Sequence, residues 1–218
     1  KQAEIVDIEF AEDNSVKSVL TKIGARFNVK TTIIATGTFL KGRVIVGDVS
    51  YESGPDGVFP SNELSDCLIK AGIELRRFKT GTPARVKRDS IDLSVLEEQA
   101  GEDIITPYSA KTDEHYFDSL QQIPCHIVYT NENTHNLIKE NIHLSAMYGG
   151  QIHGTGPRYC PSIEDKIVRF ADKERHQLFV EPMGEDTEEM YIQGFSTSLP
   201  ASVQHKMLRT LPGFENAQ

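Results

Sequence analysis

The stretch Gly156-Pro157-Arg158-Tyr159-Cys160-Pro161-Ser162 puts a thiol and a guanidinium in a loop broken by glycine and proline, directly ahead of a helix signal. Ser162 suits an N-cap, and Asp165 completes a capping-box variant that also complements the positive end of the helix dipole. The spacing predicts a helix from about Ile163, with Ile163, Ile167, Val168 and Ala171 as its apolar stripe and Glu164, Lys166 and Arg169 facing outward. Cys160 then sits before a helix N-terminus beside cations, surroundings that favour thiolate and nucleophilic chemistry. Most free cysteines are small buried apolar residues, and the local pattern leaves both roles open.

A second stretch with chemical potential is Lys79-Thr80-Gly81-Thr82-Pro83-Ala84-Arg85, whose cations and hydroxyls suit a carboxylate or a phosphate. It lies in a basic run, Lys70, Arg76, Arg77, Lys79, Arg85, Lys87 and Arg88, opposed by Glu74 alone. Such a run is either a solvated face or a contact for a polyanion. A third is Thr36-Gly37-Thr38, which follows the apolar, β-branched Thr31–Ala35. A glycine there lets a backbone pass close to a cofactor, and the threonine hydroxyls can bond to it. Ser61 opens a helix and is either a plain cap or a phosphate contact. The histidines show no spacing of a helix-borne metal site.

These residues are carried on a chain of 218 with 38% hydrophobic and 25% charged residues, a composition that suits a globular core. The net charge of −9 argues against a generally basic nucleic-acid coat, while leaving room for one local basic face. Cys67, Cys125 and Cys160 are far apart, which fits a reducing, cytosolic setting better than a disulfide framework. The start, Lys1-Gln2-Ala3-Glu4, has no initiator Met or signal profile, and the sequence reads as a piece of a longer protein.

Periodicity predicts a β-meander over residues 3 to 29, then a buried strand Thr31–Ala35 and a loop-rich segment from Gly42 to Pro60. A helix follows from Ser61 to Gly72 and a strand over Ile73–Phe78. Beyond a boundary near Arg85 come a short helix at Ser94–Gln99, a polar irregular stretch, a strand at Pro124–Thr130 and a helix at Thr134–Asn141. After the Cys160 motif, His176–Glu181 and Met190–Phe195 read as strands, and a helix starts at Ser198-Leu199-Pro200 with Val203, Met207, Leu208 and Leu211 inward.

Taken together, Ala35-Thr36-Gly37-Thr38-Phe39-Leu40, Phe78 to Pro83, Tyr129-Thr130-Asn131-Glu132, Gly156 to Phe170 and Ser196-Thr197-Ser198-Leu199-Pro200 resemble the MnmG family, also called GidA. The resemblance runs from about Ile5 to Ala217. It implies an α/β fold: part of a glutathione-reductase-like FAD-binding domain over residues 1–85, and an inserted, smaller mixed α+β domain for NADH and substrate, with its return segment, over 86–218. It further implies an enzyme that uses FAD, NADH and methylene-tetrahydrofolate to install an aminomethyl-type group at carbon 5 of the wobble uridine of tRNA. The GTPase MnmE is the implied partner, and a homodimer the implied assembly of the intact protein.

By the same resemblance Cys160 is a catalytic candidate, and Val6 and Ser61 join Thr36 and Gly37 as FAD contacts. The stretch Gly156, Pro157, Arg158, Tyr159, Pro161, Ser162, Ile163, Glu164, Asp165, Lys166, Ile167, Val168, Arg169 and Phe170 is associated with NADH, and Lys79, Arg85, Lys87 and Arg88 face tRNA. The family's FAD-phosphate loop and its second cysteine have no counterpart in this sequence. A folate- and FAD-dependent tRNA uracil methyltransferase shares the A-T-G strand but lacks the G-P-R-Y-C-P-S-I-E-D-K run. A non-catalytic RNA-docking module would rest on the basic segment alone, and a generic NADH-dependent oxidoreductase would turn over without RNA.

Overall fold

The computed structural model describes residues 2–154, 156 and 160–218, with Glu114 as backbone only. Pro157, Arg158 and Tyr159, expected from the resemblance to contact NADH, lie outside the described residues. Helices and strands are mixed, and every pairing between the named strands is antiparallel. The chain divides into two compact units, Lys1–Phe78 with His153–Thr155 and Lys79–Ile152 with Gly156–Gln218. Arg85, where the sequence suggests a boundary, is already inside a strand of the second unit.

The first unit opens with the expected meander, β1 (Ile5–Phe10), β2 (Val16–Thr21) and β3 (Arg26–Asn28). Helix α1 (Glu63–Lys70) packs on β1, and its Leu64, Cys67 and Leu68 close a small core with Ile8 and Val19. Burial pushes the Cys67 thiol up, and its Sγ accepts the Ile8 amide at 3.2 Å, so this cysteine is packing material.

Three expectations fail in this unit. The segment Gly42–Pro60 is not only loop: it holds the hairpin β4 (Arg43–Val46) and β5 (Val49–Glu52). Thr31–Ala35 forms no strand, and Ile33 is 88% exposed. Ile73–Phe78 likewise forms none beyond a single bridge residue at Phe78. Both runs have strand propensity, but a strand exists only where a neighbour completes the ladder of backbone hydrogen bonds, and none of the described strands pairs with either.

The second unit is built on a five-stranded sheet in the order β6 (Arg85–Lys87), β10 (Glu189–Gln193), β9 (Gln177–Pro182), β8 (Cys125–Tyr129), β7 (Glu97–Gln99). β7 and a short 3-10 turn at Leu93–Val95 replace the helix expected at Ser94–Gln99, because Glu97 to Gln99 pair with Ile127 to Cys125. Leu178 and Val180 on β9 and Met190 and Ile192 on β10 alternate inward. Against them lie α2 (Glu132–Asn141), α3 (Ile163–Arg169) and α4 (Ala201–Leu208), contributing Ile138, Ile163, Ile167, Val203 and Met207 to one core with Leu211 and Phe214. Truncating a core leucine of this kind to alanine costs about 2 to 5 kcal/mol. That rigidity is what holds the start of α3.

Candidate functional site

Helix α3 begins as its sequence dictates. Ser162 Oγ accepts the Asp165 amide at 3.3 Å, and Asp165 Oδ2 accepts the Ser162 amide at 3.2 Å, the reciprocal bonds of a capping box. The Ile163 amide donates to the Ser196 carbonyl at 2.8 Å, which ties the helix start to the chain leaving β10. The outward face differs from expectation. Glu164 is wholly buried: its Oε1 accepts the Thr197 hydroxyl at 2.9 Å and the Ser198 amide at 3.1 Å, while Oε2 has no hydrogen-bond partner among the described residues. Lys166 also turns in, donating to the Gly194 carbonyl at 2.9 Å, whereas Val168, expected inside, is 47% exposed. The segment Gly194–Leu199 wraps the helix and supplies polar partners that a stripe of apolar residues cannot reveal.

Asp165 carries more than the cap. Lys79, from the loop ahead of β6, sets its ammonium 3.0 Å from Asp165 Oδ2, and the two side chains are 9% and 3% exposed. Tyr148 donates its hydroxyl to Asp165 Oδ1 at 3.1 Å. Burial works against the Asp165 charge, but the Lys79 ammonium, the Ser162 amide and the Tyr148 hydroxyl outweigh it and hold the carboxyl below its ordinary range. Burial, then the Asp165 charge, push the Tyr148 phenol up to about 12, so it stays a donor at neutral pH. A buried ion pair of this kind gains little over an apolar pair, yet losing one partner costs about 3 to 5 kcal/mol. It fixes where the Lys79 loop lies.

That loop meets the cysteine. Thr80 Oγ1 is 3.7 Å from Cys160 Sγ, and the Lys79 stem crosses Gly156 so closely that a Cβ there would lie 2.9 Å from Lys79 Cε. Cys160 is half-buried and unbonded to other cysteines. Burial lowers the Lys166 ammonium, and the negative charge of an ionised Cys160 acts in the opposite direction, which couples the two groups electrostatically. A thiol with a hydroxyl neighbour and a nearby cation, on a loop pinned by a buried ion pair, is equipped to act as a nucleophile. Of the remaining residues expected to touch NADH, Ile163 and Ile167 lie in the core, Arg169 and Phe170 are exposed, and Pro161 is half-buried. Tyr148 is a site residue without a signal in its own neighbourhood of sequence.

The FAD candidates lie in the first unit. Val6 is the irregular residue in the β1–β2 register, between Ile5 and Asp7. The Thr36–Gly37 turn and Ser61 are neighbours: the Ser61 amide donates to the Phe39 carbonyl at 2.9 Å, and the Phe39 amide to the Thr36 carbonyl at 3.0 Å. Gly37 has φ +52, and a Cβ there would meet nothing within 4 Å. Of the residues expected to face tRNA, Lys79 is committed to Asp165. Arg85 stacks 4.7 Å above the Tyr191 ring and donates to Thr82 Oγ1 at 2.8 Å, Lys87 is 2.6 Å from Asp89, and Arg88 is exposed on the surface.

Comparison with known proteins decides the family. The sequence model of the family "Glucose inhibited division protein A" matches residues 1–218. The chain belongs to the GidA family. It is 56% identical over its whole length to the tRNA uridine 5-carboxymethylaminomethyl modification enzyme MnmG of Clostridium botulinum strain Loch Maree, of which it covers 34%. It is 54% identical to the protein of that name from Caldicellulosiruptor saccharolyticus, again over 34% of that protein. The form I crystal structure of Aquifex aeolicus GidA superposes with a TM-score of 0.89 at 45% identity, covering all of this chain and 37% of that one. The chain thus spans about a third of the length of these GidA relatives.

Proposed function

We propose that this chain is an internal part of a cytoplasmic, FAD- and NADH-dependent tRNA-modifying enzyme. It contributes the Cys160 loop to the site that builds an aminomethyl-type substituent on carbon 5 of the wobble uridine. The observation that carries this reading is the pinned thiol: Cys160 beside Thr80, on a loop anchored through Lys79 and Asp165, in a chain 56% identical to a protein named for that modification. Residues 1–85 belong on this reading to a glutathione-reductase-like FAD-binding domain, and 86–218 to the inserted NADH and substrate domain. MnmE, methylene-tetrahydrofolate and a homodimeric assembly complete the system.

The first unit offers residues that fit a dinucleotide. The hydroxyls of Thr36, Thr38 and Ser61 make no hydrogen bond among the described residues, and the space over Gly37 is open. Those residues and Val6 would hold FAD, which when bound and reduced supplies the hydride chemistry of the reaction. The start of α3 does not fit the phosphates of NADH, because the amides of Ser162, Ile163 and Asp165 are already engaged. On this reading any NADH contact in the stretch falls to Gly156 to Pro161.

The chemistry asked of Cys160 follows from the base. Carbon 5 of uracil is a weak nucleophile until a thiolate bonds to carbon 6, which moves the double-bond pair onto the carbon 5–oxygen 4 enolate. Carbon 5 then bonds to an electrophilic one-carbon unit of the iminium type, whose carbon–nitrogen π pair moves onto its nitrogen. Loss of the carbon 5 proton restores the double bond and expels Sγ. The Thr80 hydroxyl lies within reach of Sγ and can donate to it. The intact enzyme carrying Cys160→Ser should fold and retain FAD but lose the modified wobble uridine in nucleoside mass spectrometry. Normal levels of that nucleoside would remove Cys160 from the chemistry.

A further inference from the structure

The first unit contains a cleft of about 510 Å³ lined by Lys41, Gly42, Arg43, Glu52, Asn62 and Arg77. Three cations and one carboxylate thus face a single space, on a chain whose net charge is −9. The arrangement is built at some cost. Lys41 has φ +44, a left-handed backbone that non-glycine residues rarely adopt. It is held there from three sides: its amide donates to the Ser61 carbonyl at 3.0 Å, its carbonyl accepts Arg77 Nη1 at 2.7 Å, and its ammonium is 2.6 Å from Asp66. The next residue admits no side chain, since a Cβ on Gly42 would lie 2.5 Å from the Ser53 carbonyl. The Arg43 guanidinium has no partner among the described residues.

Asn62, the N-cap residue of α1, does not cap the helix with its side chain. It donates instead to Glu52 Oε2 at 3.1 Å. The first turn of α1 carries Glu63 and Asp66, and Asp66 pairs with the Lys41 ammonium, so the positive pull of the cleft comes from the two guanidinium groups. Guanidinium forks match the oxygens of a phosphate. The paired carboxylate and amide are a different kind of group, an acceptor and a donor side by side, which a lone phosphate does not need and a ribose 2′-hydroxyl does. We infer that this cleft binds the RNA backbone, Arg43 and Arg77 taking a phosphate and the Glu52–Asn62 pair an adjoining ribose hydroxyl. The inference rests on the proposed tRNA substrate and gives the first unit a share in holding it.

The test is the salt dependence of tRNA binding by the intact enzyme, measured by fluorescence anisotropy at salt concentrations from about 50 to 200 mM with wild type, Arg43→Gln and Arg43→Gln/Arg77→Gln. Removing one phosphate contact should lower the slope of log affinity against log salt by about 0.7 to 0.9, and weaken different tRNAs alike. Arg43→Lys should recover part of the slope. An unchanged slope in both variants overturns the inference while leaving tRNA as substrate. So does a variant whose tRNA binding is intact but which has lost affinity for FAD, NADH or inorganic phosphate, because the phosphate would then come from another source. A wild-type enzyme that binds no tRNA overturns the proposed function itself.

Discussion

The ion pair of Lys79 with Asp165 ties the loop that carries Thr80, the neighbour of Cys160, to the start of α3. Their ion pair is almost out of solvent, so Lys79→Met would strand the Asp165 carboxylate and should cost about 3 to 5 kcal/mol. Calorimetry should show a melting temperature lower by on the order of 10 °C. The double variant Lys79→Met/Asp165→Leu should recover part of that loss, since an apolar pair can replace a buried ionic one. An unchanged melting temperature in the single variant would mean that the pair does not hold the loop. At this scale the local half of the site is legible in the sequence: Ser162, Asp165 and the cysteine ahead of them form a pattern within a few residues. The partners of Asp165 are hidden there, because Lys79 is 86 residues away and Tyr148 17, with no periodicity linking them. Glu164 defies its outward-facing pattern for the same reason, its donors coming from Thr197 and Ser198.

Among the elements, β8, α2 and β9 meet at a pair of histidines. His135 on α2 and His176 ahead of β9 lie with ring centroids 5.3 Å apart, joined through Thr130, whose hydroxyl is 2.8 Å from His135 Nε2 and accepts the His176 amide at 2.8 Å. Burial lowers both imidazoles from 6.5. Lys139 adds to this for His135, and His135, Lys166 and Lys173 add to it for His176. The unfolded chain therefore takes up these protons first as pH falls. Stability is complete above about pH 6.5 and declines below it, towards the lowered folded values. Melting temperatures should fall as the pH is taken from about 7.5 to about 5.5, and less so in His176→Phe, which removes an Nε2 that has no partner among the described residues. A melting temperature independent of pH over that range would contradict the sign. Elements with strong local signals, the meander, β8 to β10 and α1 to α4, are legible from periodicity and caps. The irregular course of Thr31–Ala35 and Ile73–Phe78 is not, since a strand needs a neighbour as well as propensity.

At the scale of the molecule, two compact units carry different halves of one proposed activity. The second holds the thiol on an ion-paired platform. The first holds the unengaged hydroxyls suited to FAD and the cationic cleft. The hydropathy pattern can reveal neither the cleft nor the platform, because both are made by residues brought together only by the fold. The proposed bond between Cys160 and uridine can be trapped. The direct measurement is peptide mapping by mass spectrometry after the intact enzyme turns over tRNA carrying 5-fluorouridine at the wobble position. Fluorine on carbon 5 blocks the proton loss that would expel Sγ, so the thioether should persist. The peptide containing Cys160 should carry the nucleotide mass; an adduct on a different cysteine, or none, would show that Cys160 does not bond to the base.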